Sequence, residues 1–130
     1  MQRAAEWYAL VTFLIVGLSH IVQPRPWADA YAKLARLGAA GALANGLLSL
    51  LPGAAFLAAH PVWRGPAAGL TVFACLLILK GAVCLLLPSV GLKSMVKGSA
   101  GNGRPFMVAG AVMLAMAGYA GYVLWSCRCA

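Results

Sequence analysis

Four long apolar stretches divide this chain, separated by short segments where proline, glycine and basic residues gather. A helix needs roughly 20 apolar residues to cross the hydrocarbon core of a bilayer, and the pattern predicts spans over about 5–22, 38–59, 67–87 and 106–125. Trp7 and Tyr8 open the first span as an interfacial aromatic anchor. Gln23-Pro-Arg-Pro26 ends it, because a residue preceding proline is pushed out of helical geometry.

The segment at about 26–37 has a different rhythm. Trp27, Tyr31 and Leu34 recur at helical spacing, whereas Asp29, Lys33 and Arg36 fall on another side, with Asp29 and Lys33 in an i,i+4 relation. This predicts a short amphipathic helix lying in the interface ahead of the second span. In that span Gly41, Asn45, Ser49 and Gly53 recur every four residues, a stripe that lets helices approach closely in lipid. Pro52 beside it is expected to bend the helix. The short His60–Pro66 loop makes spans two and three antiparallel neighbours. Pro88 stops the third span, and the segment 88–105, with Lys93, Lys97 and a glycine-rich run, reads as a polar loop. Ala111, Ala115 and Gly118 line one face of the last span, and Tyr119, Tyr122 and Trp125 stand near its exit. The expected fold is therefore all-α: one transmembrane domain over residues 1–130, built as a four-helix bundle with one interfacial helix.

Composition agrees with a membrane protein. Of 130 residues, 63% are hydrophobic and 9% charged, against about 25% charged in soluble domains. Four spans use most of the length and leave no room for a separate soluble catalytic domain. The first stretch is too long for a secretory h-region, has only Arg3 before it and lacks a small-residue cleavage site, so it is expected to be retained. The formal net charge is +8. Its cations sit at the ends of apolar stretches, where anionic headgroups are met, rather than in a stripe suited to nucleic acid. Arg25, Lys33 and Arg36 follow span one and Lys93, Lys97 and Arg104 follow span three, against Arg3, Arg64 and Arg128 on the other side. The positive-inside bias puts loops 23–37 and 88–105 in the cytoplasm and both termini outside.

Candidate chemistry is sparse. Lys80 is the only charged side chain well inside an apolar segment, where insertion costs roughly 2.5–3.5 kcal/mol. Counted from Leu87 and Gly38, Lys80 and Asn45 both lie about 10 Å from the same edge, with Ser49 one turn from Asn45. Lys80, Asn45 and Ser49 thus form a candidate polar site for an ion, a proton or a headgroup; structural hydrogen bonding and snorkelling are the alternatives. His20, Arg25, Trp27, Lys33, Arg36, Lys93 and Lys97 form a candidate headgroup-contacting set. His60 is expected to cap span two and anchor the outer loop, at the opposite end from His20, so the two histidines cannot share a haem or a metal. Cys75 and Cys84 point to opposite faces about 13 Å apart along the axis. Cys127-Arg-Cys129 admits a disulfide or a soft metal, with no companion histidine. Glu6 and Asp29, the only carboxylates, fall at opposite faces, so no general acid–base pair is expected. No catalytic residue and no cofactor is expected; bound lipids are.

Three elements share a familiar spacing: Gly-Leu-Ser-His20 followed by Pro24-Arg-Pro-Trp27, His60-Pro-Val-Trp63 leading into a Thr71-containing span, and Leu79-Lys80-Gly81 running to Leu87-Pro88. Together they resemble a family of small, uncharacterised four-helix bacterial inner-membrane proteins over about residues 7–95. The resemblance implies the architecture and the bacterial membrane, and no activity. The functional expectation is a non-enzymatic accessory or assembly subunit that packs against a larger membrane complex, of the respiratory or photosynthetic kind, or against copies of itself. The alternative is a small channel, carrier or lipid-binding protein working through Lys80 and Asn45.

Overall fold

The computed structural model describes residues 1–126. Six helices follow one another: α1 (Gln2–Val22), α2 (Pro24–Arg36), α3 (Ala39–Ala59), α4 (Ala68–Leu86), α5 (Pro88–Ser99) and α6 (Arg104–Ser126). There is no strand among the described residues. Helices α1, α3, α4 and α6 are long and apolar enough to cross a membrane, and they coincide with the expected spans to within three residues at each end.

Proline has two roles at two joints. Pro24 and Pro88 each end the preceding long helix and occupy the first turn of the next, where a fixed φ and a missing N–H carry no penalty. The reading of 88–105 as a loop fails for this reason: residues 88–99 form α5. Its buried positions are Gly91 and Met95, one turn apart, while Lys93 and Lys97 are exposed. A glycine in the apolar stripe hid the periodicity. Helix α5 rests on α2, α3 and α4, so the two short helices form a platform across one end of the bundle. Gly38 (φ +62°) and Gly103 (φ +85°) turn the chain from the platform into α3 and α6, through left-handed geometry that β-carbons resist.

The long helices pack as two pairs, α1 with α6 and α3 with α4. Each pair crosses at a glycine–glycine contact. A Cβ on Gly110 would lie 2.8 Å from the Gly17 carbonyl, and one on Gly81 would lie 2.8 Å from the Gly46 carbonyl and 2.7 Å from the Leu50 nitrogen. The Gly41–Asn45–Ser49–Gly53 stripe is wholly buried: Gly41 receives the Leu34 carbonyl of α2, and Gly53 faces the Ala74 carbonyl of α4. The Ala111–Ala115–Gly118 face of α6, by contrast, is exposed, with nothing within 4 Å of a Cβ at Gly118. The pairs meet through Phe13 and Phe73, edge to face at 5.0 Å, and through a small core of Ala9, Ala67, Leu70, Ala120 and Val123.

The two kinds of glycine predict opposite responses. Gly81→Ala pushes a methyl into backbone and should cost about 1–3 kcal/mol. Gly118→Ala meets nothing and should be neutral or gain up to about 1 kcal/mol from helix propensity. Thermal unfolding of the two variants in detergent checks the contrast.

Candidate functional site

Polar side chains gather at the two ends of the bundle. At the first end, His60 terminates α3 because Pro61 follows it, and its backbone N–H closes the helix on the Phe56 carbonyl at 2.8 Å. The cap is where the sequence puts it; the side chain goes elsewhere. The imidazole turns inward, with Nε2 3.1 Å from Glu6 Oε1 and Nδ1 3.2 Å from the Thr71 hydroxyl. Thr71 in turn donates to the His60 carbonyl at 3.0 Å. His60 and Thr71 have no exposed surface and Glu6 keeps 4%. Tyr119 of α6 donates to the Pro66 carbonyl of the same loop and lies over Gly69, where a Cβ would stand 2.6 Å from its hydroxyl oxygen. The cluster thus draws Glu6 from α1, His60 from the end of α3 and Thr71 from α4, while Tyr119 ties α6 to the loop between α3 and α4.

This site was missed as a constellation. Glu6 and Asp29 were placed at opposite ends, and Glu6 was given no partner. The signal was present: the start of span one and the end of span two lie at the same side, and Ala5, Glu6 and Ala9 share the buried face of α1. Glu6–His60 is the one ion-pair contact among the described residues. A charge at such depth is tolerated only when it is paired and hydrogen-bonded. Glu6 Oε2 is buried and has no hydrogen-bond partner among the described residues.

The second cluster is 14 residues along α1, about 21 Å at 1.5 Å per residue. Here His20 donates from Nδ1 to the Val16 carbonyl at 2.8 Å. Its ring stacks on Trp27 at 4.2 Å and on Phe106 at 5.8 Å. Trp27 donates its indole N–H to Ser19 at 2.9 Å, which ties α2 back to α1. Tyr31 packs edge-on to Phe106 and accepts from the Asn45 amide at 3.1 Å. Burial pushes the Tyr31 phenol above its ordinary value; the Asn45 hydrogen bond works against the rise and the Cys84 thiol adds to it.

The sequence-derived site residues separate accordingly. His20 is buried in an aromatic stack, whereas Arg25, Lys33, Arg36, Lys93 and Lys97 are exposed on α2 and α5 and Trp27 is 37% exposed. Asn45 donates to Tyr31 and, at 3.8 Å, to Cys84, and Ser49 bonds back to the Asn45 carbonyl at 3.2 Å. Lys80 is exposed and has no hydrogen-bond or ion-pair partner among the described residues. The Lys80–Asn45 pairing therefore fails. Depth was right, since Cys84 meets Asn45 one turn beyond Lys80; direction was wrong. Gly81 is the residue that faces α3, and its neighbour Lys80 is rotated about 100° away. The Asp29–Lys33 pair likewise does not close among the described residues. Cys75 and Cys84 are free thiols; Cys127 and Cys129 lie outside the described residues. No group of three or more metal-ligating side chains occurs among the described residues. A polar cavity of about 330 Å³ opens between Arg25, Asp29, Ser99 and Asn102 on the platform.

Thr71→Val keeps the shape and removes the hydroxyl, leaving His60 Nδ1 without its partner; the expected loss is about 1–3 kcal/mol. Tyr31→Phe should cost less, about 0.5–1.5 kcal/mol, because Asn45 retains Cys84. Denaturation midpoints in detergent measure both. No family model matches this chain, and no curated protein or solved structure is significantly similar to it.

Proposed function

We propose that this chain is a non-enzymatic subunit of a larger bacterial inner-membrane assembly, spanning the membrane with α1, α3, α4 and α6. In this reading the α2–α5 platform is cytoplasmic and the His60 end faces outside. The observation that carries it is Lys80, exposed on the outer face of α4 among exposed Val72, Leu76 and Leu79. A lysine facing lipid at this depth costs roughly 2.5–3.5 kcal/mol unless something compensates it. Neither carboxylate of the chain does so: Glu6 is bound to His60 at the far end, and Asp29 forms no ion pair among the described residues. An acidic or hydrogen-bonding side chain on a transmembrane helix of another subunit would satisfy it. The exposed small-residue face of α6 offers a second place for close helix contact.

A second reading rests on the platform. Arg25, Lys33, Arg36, Lys93, Lys97 and Arg104 are all exposed, against the single carboxylate of Asp29, and Arg25 and Asp29 line the polar cavity. That charge balance suits anionic phospholipid headgroups, and it moves the lipid-binding reading away from Lys80 and Asn45.

Lys80→Met separates the two. The substitution improves insertion, so loss of a co-purifying membrane protein after mild-detergent extraction reports a lost contact and not a misinserted chain. Under the subunit reading the wild type carries a partner and the variant loses it. Recovery of wild type and variant alike as bare monomers defeats that reading. Under the lipid reading, Lys93→Gln with Lys97→Gln lowers retention of anionic lipid in native mass spectrometry, and Lys80→Met does not.

A further inference from the structure

The hydrogen-bond inventory at His60 leads beyond assembly. A backbone carbonyl only accepts, and the His60 carbonyl receives both the Val62 N–H at 2.9 Å and the Thr71 hydroxyl at 3.0 Å. The single hydroxyl hydrogen of Thr71 is then committed, so toward the imidazole its oxygen must accept, and Nδ1 at 3.2 Å must be the donor. Thr71 thereby fixes the tautomer with hydrogen on Nδ1. In that tautomer the neutral ring presents a lone pair at Nε2, facing a carboxylate oxygen 3.1 Å away. Two lone pairs at that distance repel, so one proton has to lie between them.

We propose that Glu6, His60 and Thr71 form a buried proton-binding site. One proton is shared between Glu6 Oε1 and His60 Nε2, and Glu6 Oε2 is the position for a second. With one proton the pair is neutral overall, whether written as carboxylic acid with imidazole or as carboxylate with imidazolium. Both forms are compatible with a cluster that has almost no exposed surface. Loss of that proton to water leaves a net negative charge, and uptake of a second from water leaves a net positive one. The second proton has an address because Oε2 is buried and unbonded among the described residues. Among the described residues the other charged or titratable groups at this end are exposed or occupied: the N-terminal amine, Arg3, Tyr8 and Tyr122 on the outside of α1 and α6, Arg64 in the loop, and Tyr119 bonded to Pro66. None is recorded as a partner of Glu6 or His60. Because the cluster joins α1 to the α3–α4 pair, each change in its proton count acts on the contact between the two halves of the bundle.

The chain offers an unusually clean test. Glu6 is its only glutamate and there are two histidines, so carbon-13 glutamate and nitrogen-15 histidine labels in the full chain in phospholipid nanodiscs need no variant for the carboxyl signal. The expected spectrum has hydrogen on His60 Nδ1 and one further proton coupled to both Nε2 and the Glu6 carboxyl. With the second proton bound, the end state is a carboxylic acid at Glu6 beside a doubly protonated His60, whichever form the one-proton state takes. Thr71→Val should release the tautomer preference and shift one histidine set only, which also assigns it. A His60 with hydrogen on Nε2 and bare Nδ1 overturns the proposal, as does a spectrum in which no proton couples His60 Nε2 to the Glu6 carboxyl.

Discussion

The contact between His60 and Glu6 is the constraint around which the bundle is arranged. Two helix pairs, each close-packed at a glycine–glycine crossing, do not by themselves determine how one pair sits against the other. For helices long and apolar enough to cross a membrane, apolar faces would gain little by meeting within one, because lipid tails are as apolar as leucine. A buried imidazole is different. It must find its partners, and those partners lie on α1 and α4. Polar satisfaction therefore sets the relation between the pairs at that end, and the Phe13–Phe73 contact and small alanine core fill the space it defines.

The other end solves the same problem with aromatic surface. His20, Trp27, Tyr31 and Phe106 form a continuous stack between α1, α2 and α6, while Asn45 links Tyr31 to α3 and Cys84 of α4. The two ends differ in what they can do chemically. The aromatic end is held by packing and neutral hydrogen bonds and has an exposed cationic platform above it. The His60 end holds a carboxylate–imidazole pair, the one ion-pair contact among the described residues.

Lys80 gains meaning from its separation from both clusters. Asn45 and Ser49 along the stripe, and Glu6 and Thr71 at the pair, turn inward and are bonded. Lys80 turns outward.

Sequence alone determined five of the six helices, α1 to α4 and α6, to within three residues at each end. Apolar run length marks four helices, proline before α2 and after α4 marks their limits, and a four-residue repeat of small side chains marks the buried face of α3. These are local properties, set by hydropathy and by backbone geometry within a few residues. Helix α5 was not legible and read as a polar loop, because a glycine stood where its apolar stripe needed a larger residue. Which side chains meet was decided by tertiary structure. Lys80 and Asn45 share a depth and differ by one helical step in direction; Glu6 and His60 are 54 positions apart in sequence and touch. Depth follows from counting along one helix, whereas contact depends on the rotation of each helix about its axis. That rotation is set by the glycine crossings and the buried bonds together, and neither can be read from one segment at a time.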